Sequence, residues 1–199
     1  MTNVHARRAA ITTLTVLLFV TARVTAQEDL RKLFEAGKYQ EVVAQTPPDG
    51  PPAAQYLKGL AHLKLNQADA AKDAFGRLDG GAWKSVGQSA IAMADGNQDA
   101  ALAAAKSAVS ENAGLAEAQY QLGSVLETRG DRPAAAEAFV KATEANPQMA
   151  YAHYRAGMNY YEAKRVDRMA VYFENFLKLA PNAPERPAVE SIMRTMRGR

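Results

Sequence analysis

An all-α solenoid of about five stacked helix pairs, closed by a C-terminal capping helix, is the fold this sequence predicts. The first observation is a repeat: Leu122-Gly123-x-x-Leu126, Gly130, Ala135-x-x-x-Phe139, Ala142 and Pro147 return 34 residues later as Ala156-Gly157-x-x-Tyr160, Lys164, Met169-x-x-x-Phe173, Phe176 and Pro181. A fixed step of that length marks helix pairs that bury their apolar faces only against their neighbours. The second is composition within the repeat. A mid-helix Gly costs about 1 kcal/mol relative to Ala, so Gly123 and Gly157 need a reason, and close helix–helix approach supplies one. The third is punctuation. Gly130 can end a helix in the left-handed conformation, Asp131 can cap the next, and Pro133 is tolerated in that helix's first turn.

The elements follow in order. Leu30-x-x-Leu33-Phe34-x-x-Gly37, Tyr39 and Val42-Val43 form a shortened first pair over residues 28–46. Pro47-Pro48-Asp49-Gly50-Pro51-Pro52 breaks the helices and predicts a stiff turn. Gly59-x-x-His62 with Ala71-x-x-x-Phe75 marks a unit over 52–79. Stepping back one period from Gly130 and Ala135 reaches Gly96 and Ala101, which defines a unit over 82–115. That unit is degenerate, with Ser89 at the first-helix glycine and Ala105 at the second-helix aromatic. Units 116–149 and 150–183 follow, their second helices stopped by Asn146-Pro147 and Ala180-Pro181. Ala-rich runs such as Ala103-Ala104-Ala105 and Ala134-Ala135-Ala136 favour helix and permit tight contact. Pro184-Glu185-Arg186-Pro187 opens the cap, residues 184–197, with Val189, Ile192, Met193 and Met196 on one side. Glu185, Arg186, Glu190, Arg194 and Arg197 are expected on its outer side.

These motifs resemble the tetratricopeptide repeat (TPR) family over about residues 28–183. The resemblance implies a right-handed α-α superhelix whose first helices line a concave groove that binds protein or peptide. Transferring the family's groove positions puts Tyr151, Tyr154, Met158 and Tyr161 of the last unit there. At 100° per residue these four fall within about 80° of arc. Earlier units contribute Tyr120 and Glu127, then Trp83, Val86 and Met93, then Tyr56, Leu60 and Leu63. The set Tyr56, Trp83, Met93, Tyr120, Tyr151, Tyr154, Met158 and Tyr161 is the expected peptide-binding surface, because Tyr and Trp dominate binding hot spots. Family members that clamp an acidic C-terminal carboxylate carry Lys, Asn and Arg at the groove positions. Here Tyr, Val, Leu and Met stand there, which suits an apolar or aromatic peptide or a partner helix.

Residues 1–26 belong to a different program. His5, Arg7 and Arg8 precede an uncharged, mostly apolar stretch from Ala9 to Ala22, and Val24-Thr25-Ala26 has the small-residue spacing that signal peptidase accepts. Val20-Thr21-Ala22 offers an alternative cut. The apolar run falls short of the ~20 residues that span a bilayer. Export to the periplasm or beyond, in a bacterium, is the expected destination, with the repeat domain occupying 27–199. An uncleaved N-terminal anchor is the alternative. A chain without cysteine forms no disulfide and bears no lipoprotein thiol.

Charge excludes one class of partner. Of 24 Lys and Arg, three (Arg7, Arg8, Arg23) lie in the first 26 residues, leaving 21 against 21 Asp and Glu. A neutral domain does not carry the basic stripe of a nucleic-acid binder. Polarity is uneven, however: residues 27–149 carry net −4 and residues 150–199 carry net +4. That asymmetry fits either surface drift or a basic end that orients an acidic partner or a second copy.

No catalytic, metal or cofactor site is expected. His62 and His153 fall on packing positions, and no H-E-x-x-H, G-x-S-x-G or Walker pattern occurs. The sequence therefore predicts a non-enzymatic protein-binding adaptor or scaffold. Structural self-association, or a membrane-tethered assembly component held by the N-terminal segment, is the alternative.

Overall fold

Turns built on Gly, Asn and Pro divide the chain into short antiparallel helices. The computed structural model describes residues 27–197, so the segment read as an export signal, 1–26, lies outside the described residues. Within them lie α1 (27–35), α2 (Tyr39–Gln45), α3 (Pro52–Lys64), α4 (Ala68–Gly76), α5 (Gly81–Ala94), α6 (Gln98–Glu111), α7 (Ala116–Thr128), α8 (Arg132–Ala145), α9 (Ala150–Glu162), α10 (Val166–Leu179) and α11 (Arg186–Arg197). Each helix packs on the next from α2 to α11, and α5 also packs on α7. The architecture is an all-helical solenoid of stacked pairs.

The hairpin turn is the same device four times. Gly96 and Gly130 take φ of 75° and 83°, and Asn66 and Lys164 take 58° and 56° at the matching place. Only left-handed backbone folds the second helix back so sharply, which favours Gly and Asn and makes Lys164 the strained member. Asp131 then caps α8 by accepting from the Ala134 N–H at 3.3 Å, and Asn97 caps α6 from the Ala100 N–H at 3.1 Å. Between α2 and α3, Gln55 Nε2 donates to the carbonyls of Pro47 and Pro48 at 2.7 and 3.0 Å, which fastens the proline turn.

Close approach explains the mid-helix glycines. A Cβ on Gly157 would lie 2.4 Å from Phe173 Cδ1, one on Gly123 2.8 Å from Phe139 Cδ1, and one on Gly59 2.3 Å from Phe75 Cε1. All three phenylalanines are fully buried, and burial of each stabilises by about 1.5–3 kcal/mol. Each first-helix glycine is therefore a seat for the aromatic of its own second helix. The degenerate unit follows the same logic in reverse. Ala105 supplies no ring, so the glycine is not needed, and Ser89 takes its place and donates its hydroxyl to the Ala101 carbonyl at 2.9 Å. Both changes occur together because either alone would leave a clash or a void.

The cap packs as its pattern implies. Val189 and Met193 are buried against Met169, Phe173, Phe176, Ala180 and Ala183, with Ile192 and Met196 at the margin. Arg186 and Glu190 pair across one helical turn at 2.8 Å. Glu185 departs from expectation. It is not on the outer side: its carboxylate accepts from the Tyr151 hydroxyl at 2.8 Å and pairs with Lys64 Nζ at 3.4 Å. The reason is topological, because the superhelix meets itself at this point.

Phe34 of α1 packs edge-on against Tyr151 of α9, centroid to centroid 5.4 Å, and against Tyr39 at 5.3 Å. The Ala150 N–H donates to the Glu35 carboxylate. Lys64 sits over the rings of Tyr151 and Tyr39 at 5.6 and 6.0 Å. Gly37, at φ 74°, lies so close to Pro184 that a Cβ would stand 2.7 Å from its Cγ. The first pair thus folds back onto the last, and the groove between them becomes a lined chamber.

Candidate binding site

The chamber is a half-open space of about 410 Å³ between α1, α3, α7 and the start of α9. Helical spacing builds its walls. Tyr56 and Leu60 stand one turn apart on α3, Glu117 and Tyr120 one turn apart on α7, and Gln27, Glu28, Arg31, Phe34 and Glu35 follow the inner stripe of α1. Met149, Ala150 and Tyr151 close the side at the entrance to α9.

Tyr56 is fixed rather than mobile. Its hydroxyl donates to Gln121 Oε1 at 2.9 Å, and its ring lies edge-on to Trp83 at 6.3 Å. Burial pushes its phenol well above the ordinary range. Gln121 in turn donates through Nε2 to Ser89 Oγ at 3.2 Å, which ties α3 to α5 through α7. Burial raises the Tyr151 phenol too, and its hydrogen bond to Glu185 adds to that rise. Tyr120 packs edge-on against Phe139 at 5.4 Å.

Two acids of the chamber, Glu35 and Glu117, are perturbed in the same direction. Burial lifts the Glu35 carboxyl to about 7, against the opposing pull of Arg31, the Ala150 N–H and Lys32 and with a small push from Glu28. Burial also raises Glu117. Arg31 lies 3.7 Å from Glu35 and 3.8 Å from Glu28. A carboxyl whose folded pKa exceeds its unfolded value binds a proton on folding, so stability is greatest below about 4.5 and falls as pH rises towards about 7. Glu35→Gln is therefore expected to raise the melting midpoint at pH 8 by the equivalent of about 1–3 kcal/mol and to leave it near the parent at pH 4. Equal shifts at both pH values would show that burial does not perturb this carboxyl.

The eight residues expected on the groove divide. Tyr56, Tyr120 and Tyr151 line the chamber together. Trp83 braces Tyr56 from the adjoining helix, and Met93 lies between α5 and α7, its sulfur accepting from Gln121 Nε2 at 3.1 Å. Tyr154 packs on Phe176 at 5.1 Å and on Tyr151 at 6.1 Å, and Met158 adjoins the same core cluster. Tyr161 is the exposed member, at 37%. Glu127 is held in a network: Arg155 Nη1 at 2.7 Å and Asn159 Nδ2 at 2.9 Å join α9 to α7 through it. His62 and His153 are buried and hydrogen-bonded to Gln67 and to the Pro147 carbonyl.

Phe34, Glu35, Arg31, Glu117 and Met149 were not anticipated as lining residues. The signal was present in α1 as Leu30, Leu33 and Phe34, an apolar face on a pair too short to bury it alone. Among the described residues no group of His, Asp or Glu is placed to hold a metal ion, and no helix is long and apolar enough to cross a membrane.

Comparison with known proteins places this geometry in a class. Residues 116–149 and 151–183 match family models of the tetratricopeptide repeat. Among solved structures, the chain resembles TTC0263, a thermophilic TPR protein of Thermus thermophilus, with TM-score 0.61, 18% identity, and coverage of 86% of this chain and 99% of that one. It also resembles YrrB, described as a TPR protein with an unusual peptide-binding site, with TM-score 0.50, 17% identity, and coverage of 87% and 91%. Its likeness to a chain of the APC/C hetero-tetramer Cut9–Hcn1 has TM-score 0.55 and 14% identity, over 72% of this chain and 29% of that one. At these identities the likeness is one of fold. A search of curated proteins finds no match. The fold is therefore that of a TPR solenoid, an architecture that suggests a protein-interaction scaffold.

Proposed function

We propose that this protein is an exported, non-enzymatic adaptor that takes a short peptide segment of a partner into the chamber between α1, α3, α7 and α9. The observation that carries the reading is the chamber itself. It places three tyrosines and two leucines around a concave space of about 410 Å³, within the range of sites that bury most of a small ligand. Export rests on the charged start, apolar run and Val24-Thr25-Ala26 of the first 26 residues.

Leu57 is half-buried and lines the chamber, so Leu57→Arg tests the site. The variant is expected to keep its helical content and to lose capture of the partner, whereas Arg194→Ala on the exposed cap surface retains it. Undiminished capture by folded Leu57→Arg would place binding elsewhere on the molecule. N-terminal sequencing of the protein recovered outside the cytoplasm should begin at Gln27. A sequence beginning at Met1 would overturn the cleaved-signal reading.

A further inference from the structure

The chamber is apolar in its walls but not neutral. Three carboxylates, Glu28, Glu35 and Glu117, face it against the single guanidinium of Arg31. Glu28 and Glu35 share that guanidinium, and Glu28 also pairs with Lys32 Nζ at 3.2 Å. Glu117 forms no ion pair among the described residues, although it is half-buried beside Tyr56 and Tyr120. A half-buried carboxylate without a cation is partly desolvated, and a ligand that brings one offsets that cost.

We infer that the occupant of the chamber is a basic–apolar peptide segment, whose lysine or arginine side chain pairs with Glu117 at the chamber wall beside Tyr120. The inference rests on the chamber being the binding site, as proposed above, and adds the chemistry of what enters it. The same chain already holds an ammonium in this manner at its seam. Lys64 Nζ pairs with Glu185 at 3.4 Å and lies over the rings of Tyr151 and Tyr39, a combination of carboxylate and aromatic faces that suits a partly desolvated cation. At the chamber wall Glu117 offers a carboxylate one helical turn from the Tyr120 ring, with no cation paired to it among the described residues. An acidic tail would meet the unpaired Glu117 and be disfavoured by like-charge repulsion. The bulk of the ligand is set by the apolar walls, and the charge sets its sequence preference.

Calorimetric titration with three probes tests this: acetyl-Leu-Lys-Leu-amide, acetyl-Leu-Gln-Leu-amide and acetyl-Leu-Glu-Leu-amide. At pH 8 the lysine peptide should bind at least about tenfold more tightly than the glutamine peptide, and the glutamate peptide most weakly. In Glu117→Gln the preference for lysine over glutamine should fall to near unity. With the parent protein alone, the preference should shrink between pH 8 and pH 4 as Glu117 and Glu35, both raised by burial, protonate, which keeps the test open should the variant fold poorly. If all three peptides bind alike, the chamber remains a peptide site and the cationic preference is wrong. If none binds, both the chamber reading and this one fall. A preference that survives Glu117→Gln intact would overturn the assignment to that residue.

Discussion

Replacing Gly157 by Leu is expected to lower the thermal midpoint by about 6–12 °C, the equivalent of roughly 3 kcal/mol for a domain of this size. Even the first carbon of the new side chain would stand 2.4 Å from Phe173 Cδ1 and 2.6 Å from its Cε1. Phe173 cannot swing aside, because it is fully buried among Met169, Phe176 and Val189. The strain must therefore separate α9 from α10, and with them the base on which the cap sits. The paired change Gly157→Ser with Phe173→Ala copies the solution used at Ser89 and Ala105 and should recover part of the loss. An unchanged midpoint in Gly157→Leu would mean that the two helices do not approach as closely as the geometry states.

Removing residues 184–199 should be more damaging still. The deletion takes away Val189 and Met193, each buried against the last repeat, and loss of two such side chains alone costs about 3–6 kcal/mol. It also removes Pro184 and Glu185, the residues that meet Gly37, Tyr151 and Lys64. The exposed floor would include Phe176 and Ala180, an apolar surface that promotes association. Size-exclusion chromatography with light scattering should show aggregates or a collapsed melting transition. A truncated chain that stays monomeric and equally stable would show that α11 is an ornament and not a cap.

Most of the fold was legible because its determinants are local. Gly123 with Phe139, Gly157 with Phe173 and the hairpin at Gly130-Asp131 recur at a fixed step, and each is satisfied by neighbours within one or two repeats. The chamber was only half legible. Tyr56, Tyr120 and Tyr151 sit on first helices, where periodicity places them. Glu35, Phe34 and Arg31 reach it through a contact between α1 and α9 that spans more than a hundred residues of sequence. No period encodes that distance. The same long-range contact explains why Glu185 was expected on the outer side and instead faces Lys64 and Tyr151. Helical phase fixes which face of α11 is apolar, but not that the first pair lies beyond its start.

The meeting of α1–α2 with α9 and the approach to α11 alters what kind of cooperative system the molecule is. An open array of repeats behaves as a one-dimensional lattice with two free ends, and its terminal units fray first because each lacks one neighbour. The seam gives the first pair a second neighbour in α9, so the N-terminal unit is no longer a free end, while α11 closes the other. Gly37 and Pro184 then work as a clasp, and opening it lowers the order of the whole lattice rather than loosening one end.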